Sequence, residues 1–212
     1  MGSASPIAFL KQSIKEFRTV GAVAPSSMFL ARGIARKLPA EIPDDYHVLE
    51  VGSGTGSVTG AIAKRMNGRG HLDLWELSPE FCTILRQRIA AEKDFDSMRS
   101  RIKVHEGDVR DLPKRPKFNA IVSGLPFSNF TADEVEGFLE HFRALLKPGG
   151  TLIWFEYVAL RRLQSPFVSK ARRERLKGVT TVTRNFIHRY HYKQEIISLN
   201  LPPARILQLK FG

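Results

Sequence analysis

The sequence predicts an α/β fold with a mostly parallel sheet. Strand-like and helix-like segments alternate from His47 onward. A glycine-rich turn follows the first strand, and a carboxylate ends the second. The strand-like stretches are 47–51, 71–76, 102–106, 118–123 and 151–157, rich in Val, Ile, Leu and Phe. Helical spacing is read at 58–66, 79–92 and 131–146. The last of these opens on Thr131 with Glu134 three positions on, a capping box, and is expected to stop at Pro148-Gly149-Gly150. Upstream, Ile7, Leu10, Ile14 and Phe17 recur at helical spacing with Lys11, Lys15 and Arg18 between them, which reads as a basic amphipathic helix. Ser26 or Ser27 then caps a second helix that carries Leu30, Ile34 and Leu38 on one face. The tail, 179–211, is rich in Thr, Ile, Tyr and Val and broken by Pro202-Pro203, so a terminal antiparallel pair of strands is expected there. These segments make one domain over 1–212: N-terminal helices in 1–39, a core in 45–160, and a basic segment with the terminal strands in 161–212.

Charge separates the flanks from the core. The net charge of +12 is unevenly placed. Residues 1–39 carry six Lys/Arg against Glu16 alone (+5), and residues 160–212 carry twelve against Glu174 and Glu195 (+10). The stretch between them has fifteen basic and eighteen acidic residues (−3). A near-neutral core with two cationic flanks implies an anionic partner, either a membrane surface or nucleic acid. The densest cluster is Lys170, Arg172, Arg173, Arg175 and Lys177, with Ala171, Leu176 and Val179 among them; it suits an anionic bilayer, and also a solvated helix face. No run of apolar residues is long enough to span a bilayer, and the first residues lack a signal-peptide pattern, so a cytoplasmic location is expected. The single Cys82 has no intramolecular disulfide partner, and no Cys/His cluster has zinc spacing, so no metal is expected.

The turn Leu49-Glu50-Val51-Gly52-Ser53-Gly54-Thr55-Gly56 sits where a strand gives way to a helix, the place where backbone must approach a ligand closely. Glu76, about 20 residues past the last glycine and at the end of the next strand, is placed to accept ribose hydroxyls. Asp108, after the third strand in Glu106-Gly107-Asp108-Val109, can receive an adenine amino group while Val109 packs on the ring. The glycines are spaced GxGxG, which disfavours a nicotinamide enzyme.

Taken in order, Glu50 to Gly56, Glu76, Gly107-Asp108 and a motif after the fourth strand, the chain resembles the class I S-adenosylmethionine-dependent methyltransferases over about residues 45–160. That resemblance implies a Rossmann-like, seven-stranded sheet whose last strand is antiparallel. It implies S-adenosylmethionine as cofactor and S-adenosylhomocysteine as product. It assigns cofactor contacts to Glu50, Gly52, Ser53, Gly54, Gly56, Glu76, Leu77, Asp108, Val109, Ser123, Gly124 and Leu125.

Ser123-Gly124-Leu125-Pro126-Phe127 is similar to the Asn/Asp-x-Pro-aromatic motif of amino-group methyltransferases such as the ribosomal RNA adenine dimethylases, with Gly124 where those enzymes have Asn. An aliphatic amine needs a different site, since its alkylated form is a cation that aromatic faces favour. Phe127 and Tyr157, at the ends of adjacent strands, are candidates for such a site beside Ser123; both rings also suit core packing. Three segments resemble the bacterial phospholipid N-methyltransferases: residues 17–27 (Phe-Arg-Thr-Val-Gly-Ala-Val-Ala-Pro-Ser-Ser), the 123–127 loop, and Asn200-Leu201-Pro202-Pro203-Ala204. The resemblance implies methylation of phosphatidylethanolamine or a related aminolipid such as an ornithine lipid, on the inner face of the cytoplasmic membrane. In this reading Ile7, Leu10, Ile14 and Phe17 insert between headgroups, Lys11, Lys15 and the 170–175 cluster meet anionic lipid, and Tyr157 lies near the headgroup. Nucleic acid is disfavoured as partner, and no obligate protein partner is implied. The alternatives are an RNA or protein amine methyltransferase and a non-catalytic cofactor-binding protein.

Overall fold

The computed structural model describes residues 25–158, 170–200 and 202–212. In chain order the helices are α1 (Pro25–Ala35), α2 (Ser57–Met66), α3 (Pro79–Ala91), α4 (Ala132–Leu145) and α5 (Lys170–His188). The strands are β1 (His47–Val51), β2 (His71–Glu76), β3 (Ile102–Glu106), β4 (Phe118–Ser123), β5 (Leu146–Tyr157), β6 (His191–Ile197) and β7 (Ala204–Lys210). They form one seven-stranded sheet in the order β3-β2-β1-β4-β5-β7-β6. β1 pairs in parallel with β2 and β4, β2 with β3, and β4 with β5, while β7 runs antiparallel to both β5 and β6. The order reverses between β1 and β4, and this switch point opens a crevice at the carboxyl ends of those strands.

The pleat sorts the core into two layers. Val48, Leu72, Leu74, Ala120, Val122, Ile153 and Ile206 face α1, α2 and α3. Leu49, Val51, Ile121, Leu152, Trp154 and Leu207 face α4 and α5. Strands covered on both faces lose the polar alternation of a half-exposed strand, so 48–51 and 120–122 read as almost continuous apolar runs. Each helix presents a stripe at helical spacing, such as Phe81, Cys82, Leu85 and Ile89 on α3 or Val135, Phe138, Leu139, Phe142 and Leu145 on α4. Ser78 caps α3 by accepting from the Phe81 N–H, with Pro79 in the first turn, and the Thr131–Glu134 capping box forms in full on α4.

Three boundaries differ from expectation. The stretch from Val179 to His188 is helical, not strand: Val179, Thr183 and Phe186 are buried at helical spacing, and the Thr180 and Thr183 hydroxyls donate to the Leu176 and Val179 carbonyls one turn back. Packing against α4 overrides the strand preference of a β-branched run. The terminal antiparallel pair is accordingly confined to β6 and β7. α1 is already helical at Pro25, so Ser26 and Ser27 lie inside it instead of capping it. α4 ends at Leu145, and Lys147 to Gly150 run as the start of β5. The amphipathic segment Ile7, Leu10, Lys11, Ile14, Lys15 and Phe17 lies outside the described residues.

α1 and α5 cover opposite faces of the sheet, yet both start at its carboxyl edge. On α1, a side-chain carbon at Gly33 would lie 2.8 Å from Ile206, whereas Lys37, one turn on, accepts at its carbonyl from Gln208, deeper along β7. On α5, a side-chain carbon at Gly178 would lie 3.2 Å from Ala132, the first residue of α4, and Phe186 meets Phe211 beyond the far end of β7. The eight residues that precede Gly178 in α5 therefore rise about 12 Å past the start of α4. They carry Arg172, Arg173, Arg175 and Lys177 beyond that point.

Candidate active site

The site grows from the turn between β1 and α2. Gly52, Gly54 and Gly56 adopt φ of 69°, 55° and 86°, a region that side chains strain to reach, so the spacing of the three glycines follows from the path of the turn. Gly52 donates to the Trp75 carbonyl (2.8 Å), and Arg88 clamps the outer side of the turn by donating to the Thr55 carbonyl. Glu76, at the end of β2, is buried. Its Oε2 accepts from the Gly54 N–H and its Oε1 from the Ser78 N–H, each at 2.9 Å. Two backbone amides thus fix a carboxylate between two loops while leaving it further lone pairs for incoming hydroxyls. Behind it, the buried Cys82 thiol donates to the Glu76 carbonyl at 3.4 Å. Leu77, half-buried, follows at the crevice edge.

Glu50 lies beneath the same turn, fully buried, with Oε2 lacking any hydrogen-bond partner among the described residues. Burial pushes its carboxyl up to about 8; the Thr59 hydroxyl opposes the shift, and repulsion from Glu76 adds to it. The Ser53 hydroxyl is also buried without a partner. Buried polar atoms that the protein leaves unsatisfied are what a ligand carrying an ammonium and hydroxyls would complete.

On the other side of the turn, Asp108 caps a short 3-10 turn, Val109–Asp111, by accepting from the Arg110 N–H. Its carboxylate also takes two donors of the Arg110 guanidinium, Nε and Nη2. Burial alone would raise the Asp108 carboxyl, and the Arg110 bonds outweigh it and hold it below the usual range. Val109 is buried, and its carbonyl accepts from His141 Nε2 at 2.9 Å. Burial lowers the His141 pKa, and its Nε2 donates to that carbonyl. Sequence reasoning passed over His141, although it interrupts the apolar stripe of α4 between Leu139 and Phe142, which is the available signal.

The loop after β4 closes the crevice. Ser123 pairs with Val51 across the sheet, is buried, and accepts from the Leu125 N–H at 3.3 Å. Gly124 donates to the Val51 carbonyl at 2.8 Å, and a side-chain carbon there would stand 2.6 Å from the Gly52 carbonyl. This backbone contact leaves no room for an Asn. Leu125 packs over Gly52. The expected pairing of Phe127 with Tyr157 is not formed. Phe127 is buried against Trp154 on the α4 and α5 side, with ring centroids 6.3 Å apart, whereas Tyr157 packs edge-on against Phe155 on the α1 to α3 side. Tyr157 follows Glu156 by one residue, and the pleat sends it to the opposite face. Of the basic cluster, Arg172 and Arg173 are exposed and Arg175 is half-buried; nothing is described of the Lys170 side chain. Among the described residues, no group of three or more His, Cys, Asp or Glu could hold a metal ion.

A methyltransferase-domain family model matches residues 48–150. The ornithine lipid N-methyltransferase of Singulisphaera acidiphila is 33% identical over 149 residues, covering 68% of this chain and 73% of that protein. The chain belongs to the class I S-adenosylmethionine-dependent methyltransferases. Other relatives reach the same core: the ribosomal RNA small subunit methyltransferase A of a Synechococcus strain is 29% identical over 145 residues, 68% of this chain and 43% of that one. Among solved structures, the O-methyltransferase TomG of Streptomyces achromogenes in complex with S-adenosylmethionine superposes with a TM-score of 0.65 at 16% identity, covering 100% of this chain and 92% of TomG. A methyltransferase from Aquifex aeolicus gives 0.66 at 11% identity over 94% and 98%.

The cofactor of this methyltransferase is S-adenosylmethionine, which supplies an electrophilic methyl group on a sulfonium. The residues present fit it. Glu76 would take the ribose hydroxyls, Asp108 and Val109 the adenine, and the unsatisfied Glu50 carboxyl stands ready for an ammonium. The Gly52 and Gly124 backbones come close together where the loop after β4 meets the glycine turn, and that loop would border the bound cofactor.

Proposed function

We propose that this methyltransferase methylates the headgroup amine of a zwitterionic aminolipid, such as phosphatidylethanolamine or an ornithine lipid, while docked on an anionic membrane surface at the inner face of the cytoplasmic membrane. One observation carries the reading: the basic half of α5 rises past the start of α4, at the carboxyl edge of the sheet. Exposed apolar side chains border that edge as well, Met28 and Phe29 near the start of α1, and Ile196 and Leu199 at the end of β6. Basic residues near an anionic surface contribute about 1 kcal/mol each, and apolar residues among them add burial in the headgroup layer. Among the described residues, no helix is long and apolar enough to cross a membrane. The similarity to an ornithine lipid N-methyltransferase supports the same substrate class.

The loop after β4 supports an aliphatic amine over a nucleobase. The Gly52 carbonyl bars an amide side chain at position 124, so an in-plane clamp on an exocyclic amine is missing. An aliphatic amine must lose a proton before its lone pair can attack; a water relay would receive it. The protein's part is then positioning in a water-poor crevice. The test is transfer of labelled methyl from S-adenosylmethionine to vesicles of anionic lipid with phosphatidylethanolamine or with ornithine lipid, beside small-subunit ribosomal RNA. Label in lipid supports the proposal. Label in RNA alone overturns it and assigns the cationic edge to nucleic acid.

A further inference from the structure

Resting on that reading, we infer that Arg205 is the specificity residue for the anionic half of the headgroup, with Glu156 as its positioning residue. Both stand where β5, with β7 and β6 beside it, runs on past the last residue of β4. Trp154 is the partner of Ser123, the last residue of β4, so Glu156 and Tyr157 lie about 7–10 Å beyond the β4 edge. This overhang lies at the carboxyl edge of the sheet, the edge that also holds the crevice. Glu156 and Arg205 are cross-strand partners, and Arg205 Nη2 donates to Glu156 Oε2 at 2.8 Å. The pleat turns both toward the α5 side, in line with Trp154 and Leu207.

Their surroundings hold them in place. The Val158 N–H donates to the Pro203 carbonyl at 2.9 Å, which ties the end of β5 to the start of β7. The buried Asn200 side chain donates to the Pro202 carbonyl at 2.7 Å and shapes the turn before Arg205. Among the described residues the guanidinium is held through its Nη2, which donates to Glu156. Its Nε is buried and finds no acceptor among the described residues. An unsatisfied charged donor is costly in a finished interior, and it is what an arriving oxyanion satisfies. The arginine fork suits a phosphate or a carboxylate equally, because both offer paired oxygens.

A zwitterionic headgroup places its ammonium and its anion a few ångströms apart. With the amine at the crevice mouth, Arg205 on the overhang would meet the phosphate of phosphatidylethanolamine or the free carboxylate of an ornithine lipid. Glu156 keeps the guanidinium extended, and its own negative charge disfavours an anion approaching anywhere but at Arg205.

Three amines in neutral detergent micelles test this: phosphatidylethanolamine, ornithine lipid, and octadecylamine, which has an ammonium and no anion. The variants are Arg205→Gln and Arg205→Lys, with S-adenosylhomocysteine affinity by calorimetry and circular dichroism as folding controls. The expected result for Arg205→Gln is a KM raised about 10- to 100-fold for the zwitterion used, little change for octadecylamine, and partial recovery in Arg205→Lys. Loss with one zwitterion alone names the anion as phosphate or as carboxylate. An unchanged KM for both zwitterions overturns the inference, as does equal loss on all three amines, which would make Arg205 a structural residue. Wild-type protein that methylates none of the three overturns the lipid reading itself, and the inference with it.

Discussion

Burial keeps the Glu50 carboxyl protonated up to about pH 8 in the free protein, whereas the unfolded chain releases that proton near pH 4.5. Between those values the folded state binds the extra proton, so stability falls as pH rises through that window and levels off above it. Glu50→Gln removes this dependence. Thermal unfolding of the cofactor-free variant at pH 8 should show a gain on the order of 2–4 kcal/mol over wild type, shrinking to nothing near pH 5. An equal difference at both pH values would mean that Glu50 does not titrate in this way. Glu76 makes a separate case, because its role is contact with the ligand. Glu76→Ala should weaken S-adenosylmethionine binding by about 1.5–3 kcal/mol, the range for hydrogen bonds to a charged group, as read by calorimetry. Unchanged affinity would place the ribose elsewhere. The type and spacing of both acids were legible in the sequence, since Glu50 lies in the strand before the glycine turn and Glu76 ends the next strand about 20 residues past the last glycine. The Gly52–Gly124 approach was not, because it joins residues 72 positions apart and depends on two loops converging.

At the scale of elements, α4 is specified twice over, by its apolar stripe and by its capping box. Thr131→Ala removes the oxygen that accepts from the Glu134 N–H and should cost about 1 kcal/mol in denaturant unfolding. Cofactor affinity should hold, since the start of α4 touches α5 and not the glycine turn; a large drop in affinity would mean that the cap also shapes the loop after β4. The start of α4 was legible from this signature, whereas its end falls at Leu145, before the expected stop at Pro148. α5 was misread at its second half because Thr180, Thr181, Val182 and Thr183 carry strand preference, and only contact with α4 and the sheet makes a helix of them. The Phe127 and Tyr157 pairing failed for a related reason. Strand ends that adjoin in the sheet still send alternate side chains to opposite faces, and sequence reasoning had placed the ends without counting the pleat.

For the whole molecule, charge is the organising quantity. The overhanging end of α5 concentrates cations at one edge, whereas the ion pairs Asp73–Lys117 and Arg88–Glu92 balance charge elsewhere. Association with anionic vesicles should therefore weaken steeply between about 0.05 and 0.5 M salt as screening shortens the reach of those cations. The double variant Arg172→Glu with Arg173→Glu should bind less at every salt concentration in a sedimentation assay. Equal sedimentation of variant and wild type would remove α5 from the docking surface. Cys82 is the sole cysteine of the chain, is buried, and bonds to the carbonyl of Glu76. A thiol reagent can reach it only when α3 lifts from the end of β2, and burial together with the nearby Glu76 charge raises its pKa and slows attack further. The rate of labelling is then a clock for the opening of this corner. Saturation with S-adenosylhomocysteine at about 100 times its Kd should slow that clock about 100-fold. The unmodified protein thus carries its own stopwatch for how often the floor of its cofactor site breathes.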